Sequence, residues 1–455
     1  MSAAIIQILI LVFASYVMAT RGIARTFVLV YVPSLIFFFL TPPLNLPGIP
    51  DLTSGSAVGY PVLFMALSKW KEVSRVRWGM FDLLIALMML PPTISVMSNN
   101  TLWDGVGRTG ELFFNWLMPY FMARVALHDA DARRLLLKVA CICTITLGCM
   151  AAVEARLRPY FVSRAMEQLH IAETANNQVF SRYGLMRAQT SLGHPIDLGN
   201  CALLLGTVIL VLTPITGRRW NERLIIAGIL GAGAMVVGSV SFTGLSATAF
   251  AFILMYAFSR PRLGSYAVLP AVVVLMIVLV STMSYQLNKQ IPEERPTDEA
   301  DASIWARDKV VQDSWVPMQS SGPFGGGQYL NTKEIGIGTG QGSVDNSYIL
   351  FVLQFGWVYL TMWIILALFI GIKGGQTLAL TRTPSERIPV AAILAGIVAT
   401  FLAMYTVWFG FVYSILLVVL FGAFATMSQL LAERNASPMA SPAPIAPPRG
   451  YPMMR

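Results

Sequence analysis

Residues 349–370 read ILFVLQFGWVYLTMWIILALFI and follow directly on a polar passage that closes, at 322–348, with GPFGGGQYLNTKEIGIGTGQGSVDNSY. The apolar run carries no charge and exceeds the roughly 20 residues that a helix needs to cross a hydrocarbon core. It reads as a membrane span. The polar passage before it, from about Ser284 to Asn346, is the longest in the chain. A connection of ~60 residues is far beyond the usual link between helices, which points to a loop with work to do.

Working outward, the rest of the chain repeats the apolar pattern. Of its 455 residues 56% are hydrophobic and 12% charged, against about 25% charged in soluble domains. Composition therefore predicts an all-α polytopic integral membrane protein of about twelve or thirteen transmembrane helices, with a large outer loop carrying short helices. The segments read as spans are 4–19, 26–41, 56–69, 80–97, 111–127, 135–153, 197–214, 223–240, 244–258, 265–284, 347–371, 389–406 and 411–430. The third is short, and Pro91-Pro92 interrupts the fourth. IIQILILVFASYVM, at 5–18, has no basic segment before it and reads as a first span, not a cleaved signal.

Arg21 and Arg25, then Lys69, Lys71, Arg75 and Arg77, then Arg133 and Arg134 fall at every second connection. Arg218, Arg219 and Arg223, Arg260 and Arg262, and Lys373, Arg382 and Arg387 continue the alternation. Cytoplasmic loops show this bias, so both long loops, 154–196 and 285–346, are expected outside and the C-terminus inside. The N-terminus is outside if the span count is odd. The organisation is then N-terminal helices over 1–153, a first outer loop over 154–196 and central helices over 197–284. The large loop over 285–346, C-terminal helices over 347–430 and a Pro- and Ala-rich disordered tail over 431–455 complete it. The same alternation accounts for the net charge of +9 and argues against a nucleic-acid partner.

Cys141, Cys143, Cys149 and Cys201 lie within spans without metal-ligand spacing and read as packing residues. Arg124 and Lys138 sit near the inner boundary, where long side chains snorkel, and Asp82 and Glu111 open their spans. No run of ionisable residues at mid-bilayer depth and no repeat between halves is visible, which counts against an ion-coupled transporter.

The chemistry-bearing residues fall in the two outer loops. The first holds Arg156, Arg158, Arg164, Arg182 and Arg187, and guanidinium groups suit a pyrophosphate ligand or lipid headgroups. Arg187 opens RAQTSLGHPIDLGN, in which Pro195 fits the first turn of a helix. His194 either handles a proton or caps that turn. In the second loop WARDKVVQDSW reads as a helix at the interface, with Trp305 and Trp315 as anchors and Arg307 facing the cleft of Arg187. Gly322, Gly325, Gly326 and Gly327 free the backbone for positive φ. Asp345 is a general base or the N-cap of a helix beginning at Ser347.

These features resemble the O-antigen ligase and O-antigen or exopolysaccharide polymerase superfamily of bacterial envelopes. The likeness rests on Arg187 to Pro195, Arg307, Pro323 to Gly327, Asp345-Asn346-Ser347-Tyr348 and Gln354-Phe355-Gly356, with ELFFNWLMPYFMARVAL as the span bearing Pro-Tyr and a trailing Arg. Two places depart from the family. Asp345 stands where many ligases have His, which is closer to the polymerases, and Ser241-Phe242-Thr243-Gly244 lacks an expected Arg. The resemblance implies a multi-pass protein of the bacterial inner membrane, and an inverting glycosyltransferase that uses an undecaprenyl-pyrophosphate-linked glycan without metal or other cofactor. It implies Arg187, Arg307, Arg182, Asn346 and Tyr348 at the substrate, with Asp345 or His194 as base. The expected function is polymerisation of repeat units. Ligation of a finished glycan to lipid A core or a protein, and flipping of a lipid-linked sugar, are the alternatives. Membrane lipids, and a flippase and chain-length or export proteins of the same pathway, are the expected partners.

Overall fold

Inside a hydrocarbon slab each peptide group has to be satisfied within its own segment, and helices do this at every position. The computed structural model describes residues 2–45, 50–157, 160–169, 181–182, 185–216, 222–294, 296, 299–327, 337, 346–406 and 411–436. Among them ten helices are long and apolar enough to cross a membrane. The chain is an all-α polytopic membrane protein; among the described residues a two-residue hairpin, Ser181–Arg182 with Leu185–Met186, and an isolated bridge between Leu44 and Leu52 are small exceptions.

All thirteen apolar segments of the sequence coincide with helix, and the lower number has physical reasons. Segments 4–19 and 26–41 belong to one stretch, Ala3–Phe37, folded at Gly22 (φ 83°) so that the Gln7 side chain reaches the Thr41 carbonyl at 3.4 Å. Ser54–Met65 is too short to count by itself. Leu102–Leu112 and Met118–His128 run on through a π-helical turn at Phe113–Leu117. The interruption near Pro91-Pro92 falls at Met88 and Met89, and Pro91 stands in the first turn of Leu90–Asn99, where its missing N–H costs nothing. The last helix, Phe411–Ala436, passes the expected boundary at 430; residues 437–455 lie outside the described ones.

Helix Pro384–Met404 is the axis of the bundle, buried along almost its whole length. Leu263–Asn288 lies at the rim, with Tyr266, Val274, Ile277 and Val280 more than half exposed, as a lipid-facing surface must be. The basic connections gather at one end. Lys69 Nζ reaches the Ala19 carbonyl at 3.0 Å, Ala24 N donates to Glu72 at 3.2 Å, and Arg387 Nη1 to the Arg260 carbonyl at 2.7 Å.

The same end holds the first correction to the sequence reading. Arg124 does not snorkel. It is 1% exposed and ion-pairs with Asp82, itself 4% exposed, while Tyr120 donates to the same carboxylate at 2.7 Å. Arg124 Nη2 also donates to the Arg77 carbonyl and to Gln429 Oε1, at 3.2 and 2.6 Å. A buried charge needs partners of this kind, and they come from helices 42 and 305 residues away in the chain.

The second correction concerns 347–371, read above as one span. Ser347–Ala379 is broken at Gly356 (φ 79°, ψ 178°). On a straight helix Phe351 and Trp363 would stand ~18 Å apart. Their rings instead stack at 5.4 Å, and Phe351 also meets Tyr359 at 5.0 Å. The arms 347–355 and 357–379 therefore form a hairpin, the short arm lying against the long one.

Candidate functional site

The polar end of the bundle is organised around that hairpin. Gly356 occupies a backbone region open essentially to glycine alone, and the glycine turn over 322–327 closes onto it. Gly326 N and Gly327 N donate to the Leu353 and Gln354 carbonyls at 2.8 and 2.9 Å, and Val358 N donates to the Pro323 carbonyl at 3.1 Å. Ser95 Oγ bonds the Gln354 carbonyl at 2.5 Å, and Asn99 Nδ2 the Gly325 carbonyl at 3.0 Å. The turn thus supplies the main-chain partners that the break in the helix removes. Its glycines serve backbone contact with the hairpin tip, and of the four expected at positive φ Gly322, Gly325 and Gly327 adopt it.

From the tip the short arm leads back into the bundle. Its first residue, Ser347, is fully buried and hydrogen-bonds the Tyr413 hydroxyl in the first turn of Phe411–Ala436. Asn346 Oδ1 accepts from Tyr348 N and Ile349 N at 3.0 and 3.2 Å. Asn346 is therefore the N-cap of the short arm, the role that the sequence offered to Asp345, and its oxygen is not available to a substrate. Asp345 itself lies outside the described residues. Tyr348 donates its hydroxyl to the Phe401 carbonyl at 2.8 Å, on the last turn of the central helix.

His194 precedes Pro195–Thr216, and its Nδ1 accepts from Ile196 N at 3.2 Å. A neutral imidazole that accepts at Nδ1 carries its proton at Nε2, so His194 presents a donor, not a base. The cap is the reading its geometry supports.

Arg187 is 9% exposed, and its Nε donates to the Ser239 carbonyl at 3.3 Å, at the C-terminus of Glu222–Ser239. A cation there opposes the negative end of the helix dipole. Around it the chain from Met186 to Leu192 is buried from end to end, although the sequence placed it in an outer loop. A buried loop has to account for each polar main-chain group. Ala188 N donates to the Gly238 carbonyl at 2.8 Å, and Gln189 N and Thr190 N both donate to Glu154 Oε2 at 2.9 Å. Thr190 is held at φ 53°, an unfavourable region for a β-branched residue. Glu154, fully buried at the end of Ala130–Leu157, is the functional candidate that the sequence reading missed. Its one signal was an acid at the end of a span, adjacent to a loop rich in arginine.

Arg307 is half-buried on Glu299–Ser320, which lies across the ends of Leu263–Asn288 and the hairpin. Asp308 beside it pairs with Lys289 Nζ at 2.6 Å and accepts from Gln286 Nε2 at 2.9 Å. The carboxylate bond raises the Lys289 pKa above its ordinary value. Gln286 in turn accepts the Tyr405 hydroxyl. Trp305 donates to the Pro292 carbonyl at 2.8 Å, whereas Trp315 and Val316 stay partly open beside Met283 and Leu287. Of the two expected anchors, Trp315 is the one on the apolar surface.

Three separate sets of hydrogen bonds lie toward the end of the central helix: Arg187 to Ser239, Thr243 with Thr406 at 3.0 Å, and Tyr405 through Gln286 to Asp308. Arg182 lies in the small hairpin, paired with Leu185. Beside the polar residues an apolar groove opens toward the lipid side, lined by Val272, Met276, Met283, Leu360 and Trp363, with Tyr348 and Tyr405 among its walls. Among the described residues no group of three or more His, Cys, Asp or Glu side chains is placed to hold a metal ion. Compared with models of known protein families and with curated proteins, the chain matches none.

Proposed function

We propose that this chain is a glycan polymerase of the bacterial inner membrane, joining undecaprenyl-pyrophosphate-linked repeat units on the side of its two long loops. The observation that carries the reading is the apolar groove that opens to lipid and shares Tyr348 and Tyr405 with the buried polar surface. A ligand matched to both has a long hydrocarbon tail and a polar head, as a polyprenyl-linked sugar does.

In this reading the acceptor hydroxyl attacks the anomeric carbon of the donor from the face opposite the pyrophosphate. A C–O bond forms to the acceptor as the C–O bond to pyrophosphate breaks, and the configuration inverts. Arg187 and Arg307 are the guanidinium groups proposed to meet the leaving pyrophosphate. Asp345 takes the hydroxyl proton. His194, with its donor at Nε2, hydrogen-bonds the sugar or phosphate. Chain-length and export proteins of the pathway are the proposed partners.

The test is a reconstitution in nanodiscs with a lipid-pyrophosphate-linked repeat unit, the products sized by mass spectrometry. A ladder of multiples is expected, and Asp345→Asn should slow its growth by about 10²–10⁴-fold. Transfer only when lipid A core is supplied would make the chain a ligase instead. Movement of the lipid-linked sugar across the bilayer with no new glycosidic bond would refute both.

A further inference from the structure

A group of buried polar side chains next to the hairpin has no part in the steps above. Asp197 stands in the first turn of Pro195–Thr216 and is 4% exposed; no described residue donates it a hydrogen bond or pairs with it as a cation. Asn200, one turn on along the same face, is 2% exposed, and neither atom of its carboxamide has a partner. Tyr413 is fully buried in the first turn of Phe411–Ala436, a helix that packs against both Pro195–Thr216 and the hairpin helix that begins at Ser347. Three elements thus bring polar groups together where the short arm of the hairpin begins.

The structural explanation of Asp197 alone is an acid in the first turn of a helix, favoured by the helix dipole. That accounts for the charge. It gives the carboxylate no donor among the described residues and says nothing of Asn200, neither atom of whose carboxamide has a partner. Unmet buried polar groups are among the costliest features a fold can keep, and native structures retain few of them. What completes the set has to offer the carboxylate donors and the carboxamide both donors and acceptors. Neighbouring hydroxyls of a sugar ring do so: two O–H groups toward the carboxylate, and the amide and phenol for the remaining lone pairs and protons.

We propose that Asp197, Asn200 and Tyr413 form a subsite for the acceptor sugar, gripping a pair of adjacent hydroxyls. The proposal rests on the glycan-transfer reading and adds the residues that select the acceptor. The Asp197 carboxylate orients and does not exchange a proton in the reaction.

The experiment measures binding without chemistry. The full-length protein in detergent is titrated by calorimetry with the lipid-free oligosaccharide that mild acid releases from the lipid-linked glycan of the producing cells. Wild type binds it, and Asp197→Asn and Asn200→Leu each weaken binding by about tenfold or more. A second readout separates the subsite from a structural role. Asn200→Leu removes two orphaned polar atoms, so it should raise the unfolding temperature of the ligand-free protein while it weakens the sugar. If it lowers that temperature and leaves the sugar affinity unchanged, the subsite is wrong. Stabilisation of wild type by sodium ions, lost in Asp197→Asn and not mimicked by the oligosaccharide, would make this a cation site and overturn the proposal. A product ladder from a protein that does not bind the oligosaccharide would sink the subsite and leave the polymerase reading intact. Binding that depends on Asp197, with no ladder, would sink the polymerase reading and leave the subsite standing.

Discussion

Gly356→Ala is the perturbation most closely specified by this structure. A Cβ there would stand 2.5 Å from the Phe324 nitrogen and closer still to the Pro323 carbonyl. The residue would also be held at φ 79° and ψ 178°, at a cost of about 1–3 kcal/mol. Relief of the clash requires the glycine turn to lift. The main-chain bonds from Gly326, Gly327, Trp357 and Val358 then go, each contributing about 0.5–1.5 kcal/mol. Together the two effects amount to at least ~3 kcal/mol, or more than a hundredfold in the population of the closed hairpin. The assay is limited proteolysis of the loop over 322–327 combined with thermal unfolding in detergent. Gly107→Ala is the control: that glycine is exposed on a helix, a Cβ there meets nothing within 4 Å, and the change should be neutral or slightly stabilising. Gly356→Ala with wild-type protease resistance and unfolding temperature would show that the hairpin is not held in this way.

Glu154→Gln should loosen Gln189 and Thr190, because the one oxygen that accepts both of their N–H groups loses its charge; in the proposed reaction the expected result is a raised KM for the lipid-linked donor with kcat little changed, and partial rescue by Glu154→Asp. A fall in kcat at constant KM would contradict this. Asp82→Asn leaves Arg124 as an uncompensated buried cation, so thermal unfolding should report a loss of about 3–5 kcal/mol, with the relative activity of the surviving folded protein preserved. In the Lys289–Asp308 pair the lysine pKa is raised in the folded state. Its contribution is therefore complete below the ordinary lysine value of 10.5 and is lost as pH rises through the higher folded value. Hydrogen exchange in the 299–320 helix should accordingly be flat, after correction for intrinsic rates, from pH 6 to 9 (an interval set by ~10.4 for a free lysine) and accelerate in more alkaline solution. Acceleration already on the acid side would point to a carboxylate instead.

The membrane spans were legible because apolar length is a one-dimensional signal, and all thirteen segments proved helical. What the sequence concealed were relations between distant residues. Asp82 and Arg124 are 42 positions apart, and each alone reads as a charge at the end of a span. Met186 to Leu192 contains Arg, Gln, Thr and Ser and therefore reads as an exposed loop; its burial depends on acceptors supplied by Glu154 and Gly238. Gly356 sits in an unbroken apolar run, where a glycine is ordinarily a packing residue. The signal was the glycine turn upstream of it, whose purpose shows only when the two are seen in contact. The cap at His194 was readable from its place before Pro195, whereas the cap ahead of Ser347 proved to be Asn346, one residue from where it was sought.

Three helices begin around Asp197 and Ser347: Pro195–Thr216, the short arm of the hairpin and Phe411–Ala436. Each brings the equivalent of about half a positive charge at its N-terminus. Together they offset the buried Asp197 carboxylate before any arginine is counted, through peptide groups that neither titrate nor mutate. Removal of single guanidinium groups should leave this support for the carboxylate in place, and a change of pH should not switch it off. An electrode of this kind is written into the path of the backbone.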